Sequence, residues 1–242
     1  YITWLYFRGI TAPVFFTISG LIFTYLLIKA KEKGTLSIRI RKGLVRGLML
    51  IGIGYALRIP IFRWLTGKFG TYFMVIDVLQ CIGLSLILIV CIYLLARKKT
   101  LIFSVVMLCL GTLIFLFEPL FRTYSAERIP LFFANYLTKV NGSVFTILPW
   151  FGYMAYGAFI ATLFYGYLTR PKFKTGLITG FFVTGLILVY GSTPVFLELA
   201  KLINWTLLTE VANFNYLFIR LGNVLVIFGL FYAFEDYLKH PV

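Results

Sequence analysis

Continuous apolar runs of about 20 residues recur along the chain and constrain its fold more than any other feature. A helix of that length rises about 30 Å, which matches the hydrocarbon core of a bilayer. Strands that span a membrane need segments of about 10 residues that alternate between apolar and polar side chains, and these runs do not alternate. Charged residues make up 13% of the chain, against about 25% in soluble domains. The sequence therefore predicts an all-α, polytopic membrane helix bundle.

The runs predict about seven transmembrane helices in a single membrane domain, residues 1–242. Their expected limits are 9–29, 43–65, 72–96, 100–121, 145–168, 173–191 and 215–238. Close helix packing is predicted at Gly43, Gly47, Gly52, Gly54, Gly152 and Gly157. The chain begins with Tyr1, close to an apolar run and without a charged segment before it, so we expect its N-terminus to be incomplete.

Positive charges collect in alternate connections between the helices, and this asymmetry predicts an orientation. The cations on one side are Lys29, Lys31, Lys33, Arg39, Arg41, Lys42, Arg46, Arg97 to Lys99, Arg170, Lys172, Lys174 and Lys239. Because cytoplasmic loops collect Lys and Arg, we expect Tyr1 outside and Val242 in the cytoplasm. Orientation and anionic lipid then explain the net charge of +15, and nucleic-acid binding is not expected.

Two long connections, residues 122–144 and 192–214, fall on the outer side in this arrangement. Each is partly apolar, in Ile129–Leu137 and Val195–Leu208. This composition predicts a partly amphipathic segment that lies along the interface or folds back over the bundle. Two interpretations stay open for these connections, a cap over an outward-facing cavity and a plain interfacial anchor.

Charged residues within the predicted helices each cost roughly 3 kcal/mol or more in hydrocarbon, so each one is a functional hypothesis. Four of them stand out, Arg58, Asp77, Glu118 and Arg220. Asp77 and Gln80 lie on one helical face, where together they hold a substrate hydroxyl or orient a catalytic base. The alternative for Asp77 is a structural ion pair with Arg58.

The other two charged residues are less specific signals. Glu118 lies at the outer end of the fourth predicted helix and is interpreted as an interfacial residue at a helix end. Arg220 lies about one turn inside the seventh, where it either snorkels or points into a cavity. The single histidine, His240, is interpreted as a tail residue, so no Ser-His-Asp set can be assembled. The cysteines lie inside apolar runs without metal-ligand spacing, and no metal is expected.

The densest cationic patch lies between the first two predicted helices. It consists of Arg39, Arg41, Lys42 and Arg46. Closely spaced guanidinium and ammonium groups predict a site that binds the phosphates of a nucleotide-bearing donor such as an acyl-CoA. The alternative is a positive-inside anchor against anionic lipid.

Four segments carry a resemblance to a known family. They are RGITAPVFFTISGLIFTYLL (Arg8–Leu27), RIRKGLVRGLMLIGIGYAL (Arg39–Leu57), IDVLQCIGLSLIL (Ile76–Leu88) and LPWFGYMAYGAFIA (Leu148–Ala161). In this order they resemble the transmembrane acyltransferases related to heparan-α-glucosaminide N-acetyltransferase, which include bacterial members. The resemblance implies transfer of an acyl group, most often acetyl, from cytoplasmic acyl-CoA to a sugar or envelope glycan on the outer face of a bacterial inner membrane.

The resemblance also implies roles for particular residues. The essential histidine of such families would precede Tyr1, and Asp77 with Gln80 would support it. Arg39, Arg41, Lys42 and Arg46 would bind acyl-CoA at the inner mouth of a polar tunnel. Arg58, Trp150 and Arg220 would bind the substrate, with Trp150 either stacking on a sugar or belonging to the aromatic belt.

The partners expected are the lipid bilayer and a carbohydrate or glycolipid acceptor, with self-association as a homo-oligomer left open. Two other functions use the same buried charges. A transporter or flippase would bind a lipid-linked or small anionic solute at depth. A membrane scaffold would use the charges for assembly and perform no chemistry.

Overall fold

The structure, a computed structural model, describes residues 2–61, 65–67, 70–126, 128–168 and 172–235. Its helices are α1 (Ile2–Glu32), α2 (Leu36–Leu57), α3 (Val78–Leu95), α4 (Thr100–Leu116), α5 (Glu118–Arg122), α6 (Leu131–Leu137), α7 (Ile147–Tyr167), α8 (Phe173–Leu186), α9 (Ser192–Ile203), α10 (Thr206–Asn213) and α11 (Tyr216–Ala233). A 3₁₀ turn at Thr71–Met74 precedes α3, and a π-helical turn at Ile187–Gly191 joins α8 to α9. These ranges contain helices and turns but no strand, so the all-α prediction is confirmed.

Within the described residues, five helices are long and apolar enough to cross a membrane, so this is an integral membrane protein. They are Gly9–Glu32 of α1, Val78–Leu95, Ile147–Tyr167, the continuous helix Phe173–Ile203, and Tyr216–Ala233. The expected count of seven is not confirmed. The predicted span 43–65 falls on α2, which has a cationic first half and ends at Leu57, and 100–121 falls on α4, which has 17 residues.

The central helix of the bundle is α7. Tyr153, Met154, Ala155, Ala158 and Ala161 on this helix are completely inaccessible to solvent. It packs against α1 on one side and α4 on another, and it also contacts α3. A second group of helices, α8 and α11, packs together beside it, and α11 contacts α1.

The closest helix crossing joins α1 to α7. A Cβ atom on Gly157 would lie 2.0 Å from the carbonyl oxygen of Thr17, and one on Gly20 would lie 2.2 Å from that of Met154. These distances are far below van der Waals contact, so the two backbones reach this separation only because neither glycine has a side chain.

Glycine pairs also form two other helix crossings. Gly47 of α2 faces Gly83 of α3, and Gly185 of α8 faces Gly222 of α11. The packing prediction is confirmed at Gly43, Gly47, Gly54, Gly152 and Gly157, where a Cβ would collide with a neighbouring helix. It is wrong at Gly52, which faces open space.

Most of the cationic connections meet at one end of the bundle, which we call the cationic end. The Nζ of Lys31 donates to the carbonyl oxygen of Lys98 (2.8 Å), which joins the α1–α2 turn to the α3–α4 turn. The hydroxyl of Tyr165 donates to Glu32 (2.6 Å), so the end of α7 lies there too. The starts of α3, α7 and α11 lie at the opposite end.

The two long connections are ordered segments at this opposite end. Residues 122–144 fold back over the start of α3, where Asn135 donates to the carbonyl oxygen of Met74 (2.9 Å) and the Ile76 amide donates to Ser143 (3.1 Å). In residues 192–214, α9 continues from α8 and is followed by the amphipathic α10. The buried face of α10 consists of Leu207, Leu208, Val211 and Ala212.

Candidate functional site

Arg58, Asp77 and Gln80 meet at the corner between α2 and α3. Asp77 caps α3, because the amide of Val78 donates to its Oδ1 (2.8 Å) while its own amide donates to Oε1 of Gln80 (3.1 Å). Nη2 of Arg58, at the end of α2, lies 3.0 Å from Oδ2 of Asp77. The ion pair that was the alternative interpretation of Asp77 is therefore present.

The prediction that Asp77 lies inside a transmembrane helix is wrong. The apolar residues before Asp77 predict a helix that continues through it. In the structure these residues end in the 3₁₀ turn Thr71–Met74, and α3 begins at Val78, one residue after Asp77. The side chain of Asp77 is 44% exposed, so its charge stays partly solvated. The spacing from Asp77 to Gln80 forms a capping box.

We expect Asp77→Ala to lower the free energy of unfolding by about 1 kcal/mol, because the start of α3 loses its cap. Asp77→Asn should cost less, since an amide oxygen still accepts from the backbone and a part-exposed ion pair contributes little. SDS titration of the protein in mixed micelles measures both values. A stable Asp77→Asn variant without acyl transfer would contradict this structural role.

A second group of polar and aromatic side chains lies where α7 begins. The ring centroid of Trp150 is 4.8 Å from Phe145, 5.2 Å from Phe16 on α1 and 5.8 Å from Tyr153. Its buried indole Nε1 has no hydrogen-bond partner within the described part of the chain. An indole N–H normally finds an acceptor when it is buried, so this donor is a candidate contact for a ligand.

Arg220 of α11 lies beside the same group. Its Nη2 would be 2.6 Å from a Cβ on Gly9 of α1, and its charge acts on Tyr153. The hydroxyl of Tyr153 donates to the carbonyl oxygen of Leu217 (3.2 Å), which ties α7 to α11. Because Pro13 has no N–H, the carbonyl of Gly9 lacks its usual intrahelical donor. Arg220 thus lies beside a break in the hydrogen bonding of α1.

We call Gly9, Trp150, Tyr153 and Arg220 the Arg220 cluster. Of the three substrate-binding residues proposed from the sequence, Trp150 packs against Tyr153, whose hydroxyl bonds to α11 three residues before Arg220, whereas Arg58 is paired with Asp77. Tyr153 was not singled out from the sequence, although its place three residues after Trp150 puts both on one face of α7.

Glu118 begins the short helix α5 and is buried, with 6% of its surface exposed. Its Oε2 lies 3.8 Å from Nη1 of Arg122, whose guanidinium lies 4.2 Å from the ring centre of Phe214. Burial raises the pKa of Glu118, and the positive charges of Arg122 and Lys139 oppose that rise. Glu118, Arg122 and Lys139 line a cavity of about 30 Å³, which also touches Pro149 next to Trp150.

The raised pKa of Glu118 predicts a pH-dependent effect of Glu118→Gln. A carboxyl whose pKa is higher in the folded state destabilises that state when ionised, and the penalty disappears as pH falls. We therefore expect the variant to gain stability relative to the wild type at pH 8 and to lose this gain near pH 4.5, the ordinary value for a glutamate. SDS titrations at several pH values measure the difference. The control is Glu198→Gln, because Glu198 is exposed and paired with Lys201. An equal pH dependence in both variants would contradict the raised pKa of Glu118.

The structure places two of the four proposed donor-binding cations in a groove and the other two outside it. The half-buried Arg39 and the exposed Arg46 line a groove between α1, α2 and α3, whereas Arg41 and Lys42 are exposed and do not line it. Nε and Nη2 of Arg39 are buried without a hydrogen-bond partner among the described residues. Burial and the nearby charge of Arg46 lower the pKa of Arg39 from its ordinary value. A part-buried guanidinium with two buried, unpartnered nitrogens beside a second cation favours an anionic ligand.

The described ranges contain no group of three or more His, Cys, Asp and Glu side chains able to hold a metal ion. His240 lies outside those ranges.

Comparison with known proteins identifies the family. The family model described as heparan-alpha-glucosaminide N-acetyltransferase, catalytic, matches residues 1–199 of the 242. No curated protein and no solved structure matches the chain. The matched range includes α1 to α7, and with them Trp150, Tyr153 and the cations of α2. The chain therefore belongs to the heparan-alpha-glucosaminide N-acetyltransferase catalytic family, a family of membrane acetyltransferases.

Proposed function

We propose that the protein transfers an acetyl group from cytoplasmic acetyl-CoA to a sugar or envelope glycan on the outer face of a bacterial inner membrane. In this reaction an acceptor nitrogen or oxygen forms a bond to the acetyl carbon, the C–S bond of the thioester breaks, and CoA leaves as a thiol that gains the acceptor proton. The family match supports the chemistry. The positive-inside rule supports the cationic end as the cytoplasmic one.

The observation that carries this proposal is the Arg220 cluster. An arginine within a helix bundle is expensive and is usually retained for function. Arg220 lies beside Gly9, whose carbonyl lacks its usual intrahelical donor, and the indole N–H of Trp150 has no partner among the described residues. An aromatic face and an N–H donor suit a hydroxylated acceptor, and a nearby guanidinium stabilises the negative charge that develops on the carbonyl oxygen of the acetyl group when the acceptor attacks it.

The donor is proposed to bind at the cationic end. Acetyl-CoA carries several phosphates, and the part-buried guanidinium of Arg39 fits such a group because two of its nitrogens lack an acceptor among the described residues. Arg46 lines the same groove, and Arg41 with Lys42 adds positive charge around it. The role of these residues is to bind and orient the donor from the cytoplasm.

Reconstitution separates acetyl transfer from transport. Purified native protein in liposomes is given acetyl-CoA and a panel of sugars that begins with glucosamine, and free thiol, acetylated sugar and sugar flux are measured together. We expect thiol release that requires the sugar and equals the amount of acetylated product. Sugar flux without thiol release would replace the enzyme proposal with a transporter.

A further inference from the structure

The groove that contains Arg39 and Arg46 has an unusual lining. Its volume is about 480 Å³, within the range of about 300–1,000 Å³ that small-molecule sites occupy. Below the two arginines it is almost entirely apolar, and Ser19 is the one neutral polar side chain that lines it. Phe15 and Ile22 on its α1 wall are both 52% exposed. The groove therefore opens sideways, toward the lipid.

The part of this groove that contains Arg39 and Arg46 favours an anionic ligand. Two nitrogens of the Arg39 guanidinium are buried and have no partner within the described ranges, and Arg46 adds a second positive charge. A buried donor without an acceptor costs about 1–3 kcal/mol, and more when it is charged. Arg39 lies in the second turn of α2, beside the basic turn between α1 and α2, at the level where phospholipid headgroups are found.

The apolar lining distinguishes between two sources of that anion. The pantetheine arm of CoA follows its phosphates with two amides, and amides that enter this groove would meet one hydroxyl and otherwise hydrocarbon. A phospholipid places its acyl chain directly beyond its phosphate. The groove places its two arginines next to an apolar lining, and this order matches a phosphate that is followed by an acyl chain.

We propose that this groove binds an anionic phospholipid from the leaflet at the cationic end, with its phosphate on Arg39 and Arg46 and one acyl chain between α1 and α2. The phosphate supplies the specificity, because lipid tails are as apolar as the side chains they contact. The proposal goes beyond the proposed function. It implies that the lipid and the donor phosphates exclude one another at Arg39.

Lipid binding to delipidated native protein tests the proposal, by native mass spectrometry with phosphatidylglycerol, phosphatidylcholine, glycerol phosphate and CoA as separate probes. We expect one retained phosphatidylglycerol, and Arg39→Gln to weaken its binding about 10-fold, the loss of one charge-assisted hydrogen bond. Lys33→Gln is the control, since Lys33 is an exposed cation at the same end of the bundle, does not line the groove and is not one of the proposed donor-binding residues. Equal binding by Arg39→Gln and the wild type overturns the proposal.

Ser19→Phe tests the groove without changing a cation. The added ring fills the channel for the acyl chain, so we expect weaker binding of phosphatidylglycerol and unchanged binding of glycerol phosphate. Glycerol phosphate that binds as tightly as phosphatidylglycerol, or phosphatidylcholine that binds equally well, overturns the proposal in favour of a simple phosphate site or ordinary boundary lipid. Retention of phosphatidylglycerol without any CoA binding supports the lipid site. That result would contradict only the proposal that these arginines bind acetyl-CoA.

Discussion

Gly157→Ala is expected to lower the free energy of unfolding by about 3 kcal/mol, at the upper end of the usual cost of overpacking. The new Cβ would lie 2.0 Å from the carbonyl oxygen of Thr17 and 2.9 Å from the amide nitrogen of Leu21. Both atoms belong to the backbone of α1, so no side-chain rotation relieves the collision, and the two helices must separate. SDS titration in mixed micelles measures the loss.

The matched control is Gly166→Ala, on the same helix. Nothing lies within 4 Å of a Cβ at Gly166. This variant is expected to keep its stability or gain up to about 1 kcal/mol, because alanine is the better helix former. Similar losses in the two variants would show that α1 and α7 do not cross at Gly157.

Arg220→Gln is expected to reduce kcat for acetyl transfer about 100-fold, the usual cost of removing one preorganised donor from a reacting site. The affinity for CoA should stay unchanged, because the proposed donor cations lie at the cationic end. Arg220→Lys should restore part of the rate, since it keeps the charge and loses the planar guanidinium. Steady-state kinetics with separate values of kcat and KM measures these effects.

Two further variants make the Arg220 result specific. Gly9→Ala brings a Cβ within 2.6 Å of Nη2 of Arg220, so the guanidinium must move, and we expect a smaller loss of kcat in the same direction. Arg128→Gln removes an exposed arginine and should leave the rate unchanged. A folded Arg220→Gln variant with normal kcat would remove the Arg220 cluster from the reaction.

Helix content and most span positions were predictable from the sequence, because hydropathy over about 20 residues is a property of the chain itself. The predicted limits 145–168 and 215–238 lie close to those of α7 and α11. The prediction for Asp77 failed because hydropathy does not detect a helix start inside an apolar stretch. The Asp-x-x-Gln spacing was the local signal that indicated it.

The candidate site was only partly predictable. Helical periodicity places Arg39 and Arg46 on one face of α2, seven residues apart, and turns Arg41 away from them. Nothing in the local sequence shows that Glu118 is buried, because Lys139 and Phe214, which lie near Glu118 and its partner Arg122, belong to separate segments. The contact of Arg220 with Gly9 likewise joins residues far apart in the chain.

The central claim is acetyl transfer across the bilayer from the cationic end. Liposomes that contain the oriented native protein are loaded with acetyl-CoA labelled in its acetyl group, and glucosamine is supplied on the opposite side. Mass spectrometry then follows the label. We expect labelled N-acetyl sugar outside the liposomes and an equal amount of free CoA inside. Label that stays on CoA while the sugar crosses the membrane would contradict it.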